Sequence, residues 1–120
     1  MKRNEFINAY AERALWSSTD ENGDPLDEIA SPDDIAPETM REMRSDCADF
    51  IWSNRADLRA YRAAGYNFIS AGHDFWLTRN GHGAGFWDRG LGDLGERLSN
   101  AAEIYVGVDL YVGDDGMVYS

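Results

Sequence analysis

Apolar residues at Phe6, Ile7, Tyr10, Ala11, Ala14 and Leu15 recur three and four positions apart, which is the stripe of an amphipathic helix. The spacing predicts a first helix over Glu5–Ser17, with Asn4 as its N-cap. A second stripe, Met40, Met43, Cys47, Phe50 and Ile51, follows Pro37, a residue favoured in the first helical turn. Glu38, Glu42, Asp46 and Asp49 lie largely off that stripe, so this helix is expected to show acid to solvent. Ser53 or Asn54 caps a further short helix, "RADLRAYRAAG", closed by Gly65.

From Tyr66 the pattern changes. "DFWLTR" and "GFWDR" alternate in the manner of two strands, joined by the glycine-rich "NGHGA". "LGDLGERLSNAAEIY" returns to helical spacing through Leu91, Leu94, Leu98 and Ala101, and "VDLYVGDDGMVYS" predicts two strands around an Asp-Gly turn. The expected fold is thus α+β: N-terminal helices and one later helix packed on a small antiparallel sheet built from two β-hairpins. The length, 120 residues, suits a single domain spanning 1–120 with one core, interrupted by an acidic loop at about 18–36 that holds Pro25 and Pro32 with their turn-forming neighbours and runs up to Pro37.

Charge sharpens this outline. The chain carries −11, a balance that disfavours direct binding to nucleic-acid phosphates and favours basic protein surfaces. Acidity by itself serves solubility, but its distribution is one-sided. Asp20, Glu21, Asp24, Asp27, Glu28, Asp33, Asp34, Glu38, Glu42, Asp46 and Asp49 fall in one quarter of the chain, opposed there only by Arg41 and Arg44. A concentrated field of this kind steers partners. The lone cysteine, Cys47, fits a reducing cytoplasmic compartment. No apolar run approaches the roughly 20 residues that cross a bilayer, so no membrane partner is expected.

The densest chemistry lies in "AGHDFWLTRNGHGAGFWDRG". His73, Asp74, His82 and Asp88 are acceptable metal ligands or acid–base groups, and His73 with Asp74 or Asp88 could activate Ser70, Thr78 or water. Their spacing matches no metal signature, and the predicted strand puts the two histidines at opposite ends. "DENGDPLDEIAS" departs from a calcium loop, with Pro25 at the sixth place and Ser31 at the twelfth. "GHGAG" lacks the Lys-Ser/Thr of a phosphate loop, and Cys47 sits on a helix's apolar stripe. No catalytic residue, metal or cofactor is therefore assigned. Strand alternation places Phe75 and Leu77 on one face and Trp76 on the other, so Trp76 and Trp87 form an exposed patch unless the acidic loop or Trp16 covers them.

Together with "ALWSSTDENGDPLD", "IAPETMREMRSDCADF" and the closing "YVGDDG", that dense stretch resembles a family of small acidic bacteriophage-encoded proteins. The resemblance supplies no catalytic or binding residue. It implies a setting: the cytoplasm of an infected bacterial host, and a non-enzymatic accessory protein that binds and inhibits a basic host or defence protein. An anti-CRISPR or anti-restriction factor imitating nucleic-acid charge fits that setting. Two other readings stand beside it, a small metal-dependent or hydrolytic enzyme centred on His73, Asp74, His82 and Asp88, and an assembly protein that dimerises or oligomerises through its aromatic sheet face.

Overall fold

A computed structural model describes residues 3–120. Five helices dominate it: α1 (Arg3–Ser17), α2 (Pro37–Ser53), α3 (Arg55–Ala63), α4 (Phe68–Arg79) and α5 (Asp93–Glu103). Two-residue strands β1 (Tyr111–Val112) and β2 (Val118–Tyr119) pair antiparallel near the C-terminus. Short 3-10 turns occupy Leu26–Glu28, Pro32–Asp34 and Phe86–Asp88.

The expected α+β sheet of two hairpins is therefore corrected. Only the closing hairpin forms, and the fold is mostly helical. "DFWLTR" is the second half of α4, and "GFWDR" covers a 3-10 turn. The helix begins at Asn67, whose Oδ1 accepts a hydrogen bond of 2.9 Å from the Ser70 N–H and so caps the first turn. The misleading alternation has a physical source. Every residue from Ala71 to Arg79 except His73 is buried, because α4 runs through the middle of the molecule against α1, α5 and the Phe86 turn. A helix buried on most sides has no polar face, so its period is invisible, and six of its residues read alone mimic a strand.

The core is an aromatic cluster around Phe75. Its ring stacks on Phe50 at 4.2 Å between centroids and meets Tyr10 at 5.3 Å, Tyr105 at 5.1 Å and Phe6 at 6.0 Å. The α1 and α2 stripes supply Phe6, Tyr10 and Phe50 as expected, with Met43 and Cys47 buried beside them, while Tyr105 comes from the segment after α5.

Close contact between α1 and α4 depends on Gly72. A Cβ there would run into the Phe6 carbonyl oxygen and lie 3.0 Å from Ala9 Cβ. In an isolated helix Gly→Ala gains about 1 kcal/mol. In this fold Gly72→Ala is expected to do the opposite, because the obstacle is backbone that yields only if the two helices separate. Overpacking of this kind costs about 1–3 kcal/mol, and urea titration reads the sign directly.

The acidic loop is folded. Thr19 bridges Pro25, Asp20 Oδ1 accepts the N–H groups of Asn22 and Asp24 at 2.8 and 2.9 Å, and Leu26 is fully buried as its anchor. Ser31 N–H donates to Asp34 Oδ2 at 2.8 Å, closing the next turn. Ile35 then bridges Val118, and the Ala36 N–H donates to the Val118 carbonyl at 2.8 Å. The loop's far end is thus tied to the C-terminal hairpin.

Candidate functional site

Two buried polar clasps use residues that the sequence offered as chemistry. Asp74, 1% exposed, receives a fork from Arg89, Nε to Oδ2 and Nη2 to Oδ1, both at 2.9 Å. The Tyr61 hydroxyl donates to the same Oδ2 at 2.7 Å. Burial, reinforced by the Asp74 charge, pushes the Tyr61 phenol far above its ordinary range, so it stays a donor. Both oxygens of Asp74 are thus engaged, and the group joins α4 to α3 and to the segment after the Phe86 turn. In the second clasp Arg79 donates to Asp46 Oδ2 at 2.8 Å, to Tyr10 Oη at 3.0 Å and to the Val106 carbonyl at 2.7 and 3.0 Å.

The four residues grouped as a candidate catalytic or metal set do not converge. Half-buried His73 accepts at Nδ1 from Arg13 Nη2 at 3.3 Å. Burial, and then the Arg13 charge, lower its pKa below 6.5, which keeps it neutral at pH 7. Exposed His82 lines a different hollow, with Ser17, Asn80 and Asp109. Asp88 accepts from the Gly85 N–H at 3.2 Å and closes its own turn. Among the described residues no three His, Cys, Asp or Glu side chains are grouped to share a metal ion. Cys47 is buried, and desolvation pushes its thiol far above the usual range, away from reactivity.

The aromatic patch is also corrected. Trp76 is 1% exposed and donates its indole N–H to Ser17 Oγ at 2.6 Å, whereas Trp87 is 54% exposed. The two therefore share no surface. Trp16 and Trp52 are exposed as well, each beneath a guanidinium, Arg13 at 4.4 Å and Arg55 at 4.1 Å.

The acidic residues divide into two groups. Asp46 is consumed by Arg79, Asp49 accepts from the Tyr105 hydroxyl, Glu42 accepts from Ser120, and Asp20 and Asp34 hold their own turns. Glu21, Asp24, Asp27, Glu28, Asp33 and Glu38 are all exposed, with no side-chain hydrogen bond or ion pair to another described residue. The acidic end also gains a carboxylate from outside the stretch between Asp20 and Asp49. Asp114, in the hairpin turn, joins Asp20 and Glu21 along a groove of about 440 Å³ floored by Ile29, Tyr111 and Val112. The doublet in "GDDG" was its signal, but nothing in the chain order shows that this turn folds beside the loop.

Comparison with protein-family models, with curated proteins and with solved structures yields no match. No helix among the described residues is long and apolar enough to cross a membrane.

Proposed function

We propose that the protein is a non-enzymatic binding protein whose acidic end occupies the nucleic-acid groove of a basic host or defence protein and inhibits it. One observation carries this reading. The fold neutralises Asp46, Asp57 and Asp74 with arginines, yet leaves six carboxylates from Glu21 to Glu38 exposed and unpartnered, five on the ordered loop and Glu38 in the first turn of α2. Unneutralised like charges held on one segment cost self-repulsion and give long-range attraction to a basic surface. The bacteriophage setting implied by the sequence resemblance supplies targets of this kind, namely transcription, restriction and CRISPR proteins.

The test is capture of the partner from bacterial lysate, followed by competition. Duplex DNA is expected to displace the protein from its partner. Reversing Glu21, Asp24, Asp33 and Glu38 to lysine should lower the association rate about tenfold or more at low salt, with thermal unfolding little changed because none of the four is buried or paired. An unchanged on-rate, or simultaneous binding of DNA and protein to the partner, would show that the acid serves solubility alone. Asp46 is left out of the set because its loss would strand buried Arg79.

A further inference from the structure

At the end of the molecule away from the acidic loop, α3 carries Arg55, Arg59 and Arg62 four and three residues apart, on one helical face. With Ile51, Leu58 and Phe68 they line an apolar-floored hollow of about 180 Å³, and no carboxylate lines it. Arg62 lies over the Phe68 ring at 5.0 Å, and Arg55 donates to the Trp52 carbonyl at 2.8 Å. Arg59 and Arg62 make no ion pair with a described residue, although the chain carries twice as many acids as bases. A cationic hollow left open in so acidic a protein calls for an acidic, apolar occupant.

This chain itself presents such a surface. Ile29 and Tyr111 are each 56% exposed and flank the groove whose rim is Asp20, Glu21 and Asp114, with no cation in its lining. The two features sit at opposite ends of α1. Phe6 packs on Phe68 beside the arginine hollow, at 6.4 Å between centroids, while Ser17 leads directly into the acidic turn. Eleven helical residues separate those ends by about 16 Å, so one copy cannot fill its own hollow.

We propose that the arginine-ringed hollow of one copy docks on the acid-rimmed apolar groove of a second copy, a head-to-tail contact that repeats along a row of molecules. Such a contact is heterologous and does not close on itself as a twofold dimer does. Glu21 and Asp114 then serve this contact, so a basic partner bound at the acidic end terminates the row. The inference does not depend on that partner, because the arginine hollow lies outside the surface offered to it.

Sedimentation velocity of the full chain tests it. Both surfaces are small, so association is weak, and the range to cover is about 10–500 μM. The weight-average mass should rise with concentration at low salt without stopping at a dimer, and return to monomer at about 0.5 M salt, where charges are screened within a few ångströms. Arg59→Glu/Arg62→Glu destroys the hollow and leaves the groove. Glu21→Gln/Asp114→Asn weakens the groove and leaves the hollow. Each variant should melt like the parent and stay monomeric alone, while an equimolar mixture should form a discrete 1:1 dimer. A parent monomeric at every concentration, a mass that saturates at a twofold dimer, or a mixture that fails to associate would each overturn the proposal.

Discussion

Asp74→Ala is expected to lower folding stability by about 3 kcal/mol, near the lower end of the range for removing one partner of a buried ion pair. The substitution strands two groups at once, the Arg89 guanidinium and the Tyr61 hydroxyl, both held by this carboxylate. Arg89 keeps 32% of its side chain exposed, so water recovers part of the loss, which is why the lower end applies. Tyr61 is fully buried and recovers nothing. Asp74→Asn retains an acceptor for Tyr61 but loses the charge opposite Arg89, so it should fall between the parent and the alanine variant. Urea unfolding of the three proteins checks the order. The sign also separates two roles. Removing a strained catalytic base tends to leave a fold as stable or more so, at the expense of activity. Removing a clasp unfolds it. A Asp74→Ala protein as stable as the parent would revive Asp74 as a functional acid–base group.

That outcome bears on how far the chain can be read without its structure. α1 and α2 were legible because each has a wet side: Phe6, Tyr10, Met43 and Phe50 repeat against polar neighbours, and Pro37 marks the second start. The closing hairpin was legible from its Asp-Gly turn, where Gly116 takes a φ of +83°. α4 was not, since burial on most sides erases the contrast that reveals a period. A signal did exist upstream: "NFIS" places an N-cap asparagine before an apolar residue with serine three positions on, and Phe68, Gly72, Phe75 and Arg79 keep helical spacing. For the candidate site, the acidic concentration was visible as composition. Its division into paired and free carboxylates was not, because Arg79 reaches Asp46 from 33 residues away and Tyr105 reaches Asp49 from 56. Long-range pairing of this sort leaves no mark in local spacing. The arginine hollow combines both cases: Arg55, Arg59 and Arg62 are a plain helical triplet, but Phe68 joins them only through the turn after α3.

Trp76→Ala is expected to destabilise the protein as severely as Phe75→Ala, each by about 3–5 kcal/mol. A strand would send neighbouring side chains to opposite faces, one into the core and one toward solvent, and the two costs would then differ widely. On α4 both point into protein. Phe75 fills the space between Phe50, Tyr10 and Tyr105, and its loss opens a cavity at the centre of the aromatic cluster. Trp76 meets Tyr10 edge-on at 5.3 Å and holds Ser17 through its indole N–H. The second contact links packing to function. Ser17 ends α1, Ser18 accepts the Leu26 N–H at 2.9 Å, and the acidic turn between them starts from that point. Trp76→Phe keeps most of the packing and deletes the indole N–H, so it isolates the tether. It should cost about 1–2 kcal/mol globally, and should raise amide exchange at Asn22, Asp24 and Leu26 more than at Cys47 or Phe50. The acidic loop would then lose its fixed geometry while keeping its charge. Association with a basic partner would slow little, since steering needs only the charge, but dissociation would quicken because the loop must be ordered again in the complex. Equal protection at Leu26 and Phe50 in Trp76→Phe would mean that Leu26 burial alone holds the loop.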